Sequence, residues 1–317
     1  MMPALNEAAT VAGVIARVPR EIEGIATVEV LVVDDGSTDE TVKLAREAGA
    51  SVISHGVNRG VGHALQTGID EAIARRVDFV VNIDSDGQFA PEDIPTLLQP
   101  LLDGRADFAT ASRFKDPELV PDMPWVKKVG NWGMARIISR ICRQDFRDVS
   151  CGFRAYTRET ILRLVLTGAF TYTQEMFLAL SQKGLRIAEV PMRVRGVREV
   201  GESRIASNLF KYAYRTLVII FGSIRDYSPG VFFNRAAFGL VTLSMMFGAF
   251  FISHYAMTGA FTPHVWAGFV SAFLFVFGMM VFALGQVALM VSWTRQLQDR
   301  QLYLLRKYLS HLGDEGD

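Results

Sequence analysis

The stretch Val28-Glu29-Val30-Leu31-Val32-Val33-Asp34-Asp35-Gly36-Ser37-Thr38-Asp39 decides the fold of the polar part of the chain. An apolar, mostly β-branched run of strand length ends abruptly in two carboxylates, a glycine and hydroxyl side chains, as expected where a buried strand delivers a polar loop. A second stretch repeats the pattern: Phe79-Val80-Val81-Asn82-Ile83 runs into Asp84-Ser85-Asp86-Gly87-Gln88. Strand-like runs at 51–54, 108–112 and 185–190 alternate with segments 7–18, 38–48, 62–74 and 91–102, whose apolar residues recur every three or four positions. Asp39-Glu40 and Glu92-Asp93 fall in first turns, where acidic groups complement the helix dipole. Alternation of this kind predicts an α/β sheet that binds its ligand at the C-terminal ends of the strands.

Both polar loops carry chemistry. Asp84 and Asp86 are alternate residues of an extended segment, so they share a face at about 6–7 Å and can act on one cation and the phosphates it binds. Hard oxygen ligands without Cys or His suit Mg²⁺ or Mn²⁺. For residues 34–39 taken alone a turn and helix cap accounts equally well for the pattern, because Asp, Ser and Thr are what caps require.

The rest of the composition narrows the class. Lys+Arg 33 balance Asp+Glu 33 in 317 residues, which removes the electrostatic case for a nucleic-acid binder. Cys142 and Cys151 are too few for a disulfide framework, and the five histidines lack zinc-ligand spacing. Residues 236–294 contain no Lys, Arg, Asp or Glu, and a span needs about 20 apolar residues. The run divides at Thr258-Gly259-Ala260-Phe261-Thr262-Pro263 into two expected transmembrane helices, 236–257 and 265–293. Arg225 and Arg235 precede them, Arg295, Arg300, Arg306 and Lys307 follow, and the connecting loop has no basic residue, so both ends are expected in the cytoplasm. Residues 1–10 lack the basic start and apolar stretch of a signal peptide, which adds to the expectation of a cytoplasmic catalytic domain on an integral membrane protein, such as one of a bacterial inner membrane. Residues 205–227 alternate aromatic and basic and are read as an amphipathic helix at the headgroups. The tail 294–312 is read as packing under the membrane or against a second copy, which leaves a homo-oligomer open.

In order and spacing, the motifs resemble the type A glycosyltransferase fold and, within it, the inverting family that includes dolichyl- and polyprenyl-phosphate sugar synthases. Pro3-Ala4-Leu5-Asn6-Glu7 resembles its PxxNE motif, Val33-Asp34-Asp35-Gly36-Ser37 its DDGS, Asn58-Arg59-Gly60-Val61-Gly62 its NxGxG, and Asp84-Ser85-Asp86 with Gln88 its DxD and following glutamine. Asp148-Val149-Ser150-Cys151-Gly152-Phe153-Arg154 resembles DxxSGFR, and Gly201-Glu202-Ser203-Arg204 resembles GxSK with arginine in place of lysine. The resemblance implies an α/β, Rossmann-like nucleotide-sugar-binding domain of type A over 1–204, then an amphipathic juxtamembrane region 205–230, a two-helix transmembrane hairpin within 231–293, and a cytoplasmic C-terminal helix 294–317. It implies that Pro3, Leu5, Glu7, Val33 and Asp35 line the nucleoside pocket, with Asp34, Asn58, Gly60 and Ser85 completing the donor site, and that Asp84, Asp86 and Gln88 face a metal and the diphosphate. A dinucleotide site is not expected, because Leu65 stands where GxGxxG has its third glycine. The family's central first strand normally precedes PxxNE, so that strand is expected to be missing here or to begin upstream.

Together these readings predict inverting transfer of a sugar from a GDP- or UDP-linked donor to a polyprenyl phosphate. A phosphomonoester has a second pKa of about 6, so it arrives largely as a dianion and requires little general-base help. Arg113, Lys128 and Arg154 are the candidate contacts to the acceptor phosphate, and Asp86, Arg204, Glu175 and Asp148 the candidate catalytic residues. Transfer to a sugar or lipid hydroxyl is the alternative, with Glu175 or Asp148 as base. A non-catalytic membrane scaffold that keeps the nucleotide-sugar fold is the third reading.

Overall fold

The computed structural model describes residues 1–121, 123, 125–165, 172–194 and 229–312. Two compact units emerge: Met1–Thr216 with Gln301–Asp317, and Leu217–Arg300. The first unit begins with β1 (Met2–Ala4), α1 (Val11–Ala16), β2 (Leu31–Asp34), α2 (Thr41–Glu47), β3 (Ser51–Ser54), α3 (Val61–Ala74) and β4 (Phe79–Asn82). A 3₁₀ turn at Pro91–Asp93 leads into α4 (Ile94–Leu102), β5 (Phe108–Ser112), α5 (Trp125–Cys142), β6 (Arg154–Thr157), α6 (Arg158–Arg163), α7 (Tyr172–Gln182) and β7 (Ile187–Pro191). Two long helices close the chain, α8 (Pro229–Thr258) and α9 (Val265–Leu312).

Strands β1, β2 and β3 pair in parallel, with Met2 opposite Val32 and Leu31 opposite Ser51. A second ladder runs β4-β6-β5-β7, in which β6 is antiparallel to both neighbours and β5 is parallel to β7. Met1 joins the two: its carbonyl accepts from Ile83 N at 3.1 Å and its amine donates to Val81 O at 2.8 Å. The strand order is therefore 3-2-1-4-6-5-7, which places the loops after β1, β2, β3 and β4 side by side at one edge. Ile15, Val32, Leu97, Ala109 and Phe153 are completely or almost completely buried in the core beneath them.

The central first strand is thus present, a correction to the expectation that it is missing. Met2–Ala4 form it themselves, immediately before Leu5-Asn6-Glu7, so strand and motif overlap. Strand β2 begins at Leu31 rather than at 28, because its β1 partner pairs only from Val32 to Asp34.

Helices α8 and α9, the latter reaching past the second unit at its C-terminal end, are long and apolar enough to cross a membrane. Small residues let them approach: a Cβ on Gly278 would lie 2.9 Å from Val241 Cγ2. Ser244 Oγ donates to Ser271 O at 2.8 Å and Ser271 Oγ to Ser244 O at 2.9 Å, so each hydroxyl is satisfied by the other helix. The tail expected as a separate helix continues α9 without a break, since residues 286–312 contain neither glycine nor proline. Within the first unit, the last turns of α9 are tied down by Tyr303, whose hydroxyl donates to Glu159 at 2.8 Å, and by Arg306, which donates to Asp70 and Leu164 O.

Candidate active site

The loops after β1 and β2 are stapled to each other. Asn6 adopts φ 55°, in the left-handed region that asparagine tolerates better than most residues. Its backbone N–H donates to Ser37 Oγ at 2.9 Å and its side-chain oxygen accepts from Thr38 N at 2.8 Å. Glu7 N donates to Thr41 Oγ1 and Ala8 N to Asp39 Oδ2. The hydroxyl and carboxylate residues of 37–41 therefore hold the PxxNE-like loop as well as opening α2.

Asp34 is buried, and although burial alone would raise its pKa, hydrogen bonds from Ser37, Ser54 and Gly36 hold the carboxyl below its ordinary value. Asp35 turns towards the loop after β3. Its Oδ1 accepts from Arg59 N at 2.9 Å and its Oδ2 from Gly60 N at 2.8 Å, while His55 Nδ1 lies 2.9 Å from Oδ1. A carboxylate only accepts, so Nδ1 of His55 carries the proton and Nε2 meets Thr67 Oγ1 at 2.9 Å. Asp35 thus organises residues 58–60. Val33 is fully buried against Leu31 and Ala64. Gly36, at φ 86°, passes so close to the same loop that a Cβ would sit 2.6 Å from the Val57 carbonyl carbon. Asn58 is exposed at the edge, and Pro3, Leu5 and Glu7 are partly exposed. His55 belongs to no motif, and only its position just past a strand end pointed to it.

The loop after β4 is anchored from two sides. Ser85 is buried, its Oγ donating to Pro3 O at 3.0 Å and its carbonyl accepting from Thr10 Oγ1 at 2.7 Å. Asp86 Oδ1 accepts from Gln88 N at 3.1 Å, which tightens the turn that sets Gln88 beside the carboxylates. Asp84 rests on the backbone of Gly152: a Cβ there would come within 2.8 Å of Asp84 Oδ2. Asn82, also outside every motif, donates through Nδ2 to Gly152 O at 2.8 Å and fixes that contact. Among the described residues no group of three or more His, Cys, Asp or Glu is arranged to hold a metal. A cation here would rest on Asp84 and Asp86, with Gln88 adjacent and phosphate or water oxygens completing the shell. The glycine cradle at Asp84 and the all-oxygen donor set fit Mg²⁺ or Mn²⁺.

On the other side of the sheet the candidates behave differently. Asp148 is fully buried and grips Arg113, whose Nε lies 2.7 Å from Oδ2 and Nη2 2.9 Å from Oδ1. Burial would raise the Asp148 carboxyl, but the hydrogen bonds and charge of Arg113, with the backbone N–H groups of Ser150 and Arg113, outweigh it and hold the group low. A carboxylate so stabilised is a poor general base, and the Arg113 side chain that holds it keeps 20% of its surface exposed. Arg154 is completely buried between Phe108 and Phe177, donating to Cys151 O at 2.8 Å and Thr173 O at 3.1 Å. It supports the core and is not exposed to an acceptor. Glu189 accepts from the backbone N–H groups of Arg147 and Asp148 and from Ser112 Oγ, yet burial leaves its pKa raised. Burial, then the Asp148 charge, push the Cys151 thiol up to about 12, so it stays protonated and unreactive. Lys128 is exposed on α5. Arg204, the whole of 201–204 and the helix read over 205–227 lie outside the described residues, as does the side chain of Glu175.

The sequence model of Glycosyl transferase family 2 matches residues 1–164. The chain belongs to that family. This glycosyltransferase is similar to the UDP-N-acetylglucosamine–dolichyl-phosphate N-acetylglucosaminyltransferase of Methanococcus voltae: the two are 28% identical over 248 residues, covering 71% of this chain and 97% of that one. It is also similar to the polyprenol monophosphomannose synthase of Mycolicibacterium smegmatis, 29% identical over 228 residues, 67% of this chain and 84% of that one. Among solved structures, glucosyl-3-phosphoglycerate synthase from Mycobacterium tuberculosis, in complex with Mn²⁺, UDP and glucosyl-3-phosphoglycerate, superposes with a TM-score of 0.54 at 26% identity, covering 70% of this chain and 78% of that one. The fold of the first unit is therefore the type A glycosyltransferase fold, followed in sequence by the two long apolar helices.

Proposed function

We propose that this glycosyltransferase moves a sugar, with inversion, from a nucleotide-sugar donor to a polyprenyl phosphate at the cytoplasmic leaflet. The observation that carries the donor half is the convergence of the loops after β1 to β4, in which Asp84 and Asp86 stand next to the mutually stapled 5–8, 34–39 and 58–60 segments. The acceptor half is supported by the printed activities of the two lipid-phosphate relatives and by α8 and α9. Asp84 and Asp86 would hold Mg²⁺ or Mn²⁺, which when bound offsets the charge of the diphosphate and helps the nucleotide leave.

The protein's own residues supply position and electrostatics. Asp35 and His55 keep the 58–60 loop where a nucleoside can lean on it; Gly152 and Asn82 keep Asp84 aimed. A phosphate dianion needs no strong base, so the engagement of Asp148 with Arg113 is no obstacle to attack, and Arg204 is the residue proposed to meet the acceptor phosphate. Incubating the protein with labelled GDP-mannose, UDP-glucose and UDP-N-acetylglucosamine and short polyprenyl phosphates tests the reading. One donor should give a lipid-linked product labile to mild acid. Product only with alcohol acceptors, together with a near-dead Glu175→Gln variant, would replace it with base-assisted attack by a hydroxyl. The cytoplasmic placement is tested by Ala260→Cys, expected to react with an impermeant thiol reagent in intact cells while Ser310→Cys does not.

A further inference from the structure

Helix α5 has a face that the catalytic reading does not use. Its inner side packs on the core through buried Met134, Ala135 and Ile138, and Cys142 and Ser181 tie it to α7. The outer side follows helical spacing: Trp125, Val129 and Trp132 are 73%, 55% and 60% exposed, Arg136 and Arg140 continue the same stripe in the open, and Arg143 is exposed just past the end of the helix. Large apolar side chains thus occupy its N-terminal half and guanidinium groups its C-terminal half. The helix itself contains no Asp or Glu. Beside it runs a groove of ≈ 580 Å³ lined by Trp132, Arg136, Arg140 and Arg143 together with Asp145 and Arg147, which pair with each other at 3.0 Å and leave the helix arginines as its net charge. Arg136 lies over the Trp132 ring, 5.6 Å from its centroid, so indole and guanidinium form one amphipathic surface.

We propose that this face of α5 docks on an anionic phospholipid surface, with Trp125, Val129 and Trp132 entering the headgroup–acyl boundary and the arginines holding lipid phosphates. Three observations favour a bilayer over a second copy or a soluble partner. Tryptophan is the side chain best suited to the interface, since its ring is apolar and its N–H can remain wet. The charge is uniformly positive along the helix although the chain as a whole is neutral, which matches an anionic leaflet that attracts basic residues near its surface. The same chain carries two helices long and apolar enough to span a membrane, which gives it a means of staying at a bilayer. This proposal concerns bulk anionic lipid and stands whether or not the acceptor is a polyprenyl phosphate.

Two of the four tryptophans lie in the apolar helices, so the full chain with Trp266→Phe and Trp293→Phe reports on Trp125 and Trp132 alone. Reconstituted into vesicles of phosphatidylcholine with 30% phosphatidylglycerol and brominated acyl chains, its emission should shift to the blue and be quenched at least twofold. Quenching should weaken in pure phosphatidylcholine and in the triple variant Arg136→Glu, Arg140→Glu, Arg143→Glu, while circular dichroism stays unchanged. Emission that ignores brominated lipid at both compositions and remains open to acrylamide would overturn the proposal. So would protection that depends on the protein-to-lipid ratio, which identifies a second copy, or loss of the blue shift in millimolar inorganic phosphate at constant ionic strength, which identifies a free-phosphate site.

Discussion

The two halves of the β-sheet edge use polar residues in opposite ways. Around β1 to β4, Asn6, Ser37, Asp39, Asp35 and Ser85 bond mainly to loop backbone, and they leave the Asp84–Gln88 turn facing a shared edge. Around β5 to β7, Arg113, Asp148, Arg154 and Glu189 bond to one another and to buried carbonyls. Motif residues are present in both halves, and among the described residues those of the first lie at the shared loop edge. The second acts at one remove, by delivering Gly152 to the side of Asp84. A sequence motif therefore marks either a contact or the brace that holds a contact, and the partners of each side chain separate the two: Asp86 is as buried as Asp35, but it closes its own turn on Gln88 N whereas Asp35 holds the 58–60 loop.

The sharpest way to break this distinction is to exchange the expected phenotypes. Asp86→Ala should lower transfer at least about 10³-fold while the thermal midpoint holds, since it removes charge aimed at the reacting diphosphate; excess chelator should do the same to the unaltered protein. Activity within a few-fold of wild type would place Asp86 among the braces. Asp148→Ala should do the reverse, costing about 3 kcal/mol of stability by removing the carboxylate that neutralises Arg113 in a partly buried site. Urea unfolding measures that loss; a variant of unchanged stability that cannot transfer would return Asp148 to the catalytic list.

Between these extremes lies Gly152→Ala. The added carbon meets the Asp84 carboxylate, and a displacement of about 1 Å in a catalytic group can cost about 10²-fold. Turnover should fall by that order with donor affinity reduced less. Asp35→Ala removes the acceptor for Arg59 and Gly60 N–H, so donor binding measured by calorimetry should weaken about tenfold, at about 1.5 kcal/mol for a hydrogen bond to a charged group.

The smallest effect concerns acid. Asp148 is held low in the folded chain, so its share of stability is complete above about 3.9, the pKa of an unfolded aspartate, and disappears as pH drops through its folded value. Glu189 is held high, so its ionisation opposes folding: that cost is present at neutral pH and is relieved as pH falls through the raised value. Relative to Glu189→Gln, the thermal midpoint of wild type should therefore rise as the pH falls from neutral through the raised Glu189 pKa. Parallel curves would mean that Glu189 is not strained by its burial.

Strand-to-loop transitions at 34–39 and 84–88 were legible because their chemistry is local: alternation, turn residues and paired carboxylates lie within a few positions. Even the first strand was hidden only by its shortness, three residues that double as a motif. What could not be read were partnerships across the fold. Arg113 and Asp148 are 35 positions apart, and nothing in either motif says that they neutralise each other. Asn82 and His55 look like ordinary strand-end residues until Gly152 O and Asp35 are placed beside them. The exposed stripe of α5 needed burial as well as periodicity, because Trp125, Val129 and Trp132 fit a core-facing pattern equally well.

The staple between Asn6, Ser37, Thr38, Asp39 and Thr41 has a thermodynamic consequence. Loops that already satisfy one another's backbone groups have little conformational freedom left to lose when a nucleotide arrives. Association at this edge should then show a modest negative heat-capacity change and a small entropic penalty, unlike the large opposing enthalpy and entropy of a segment that folds on its ligand.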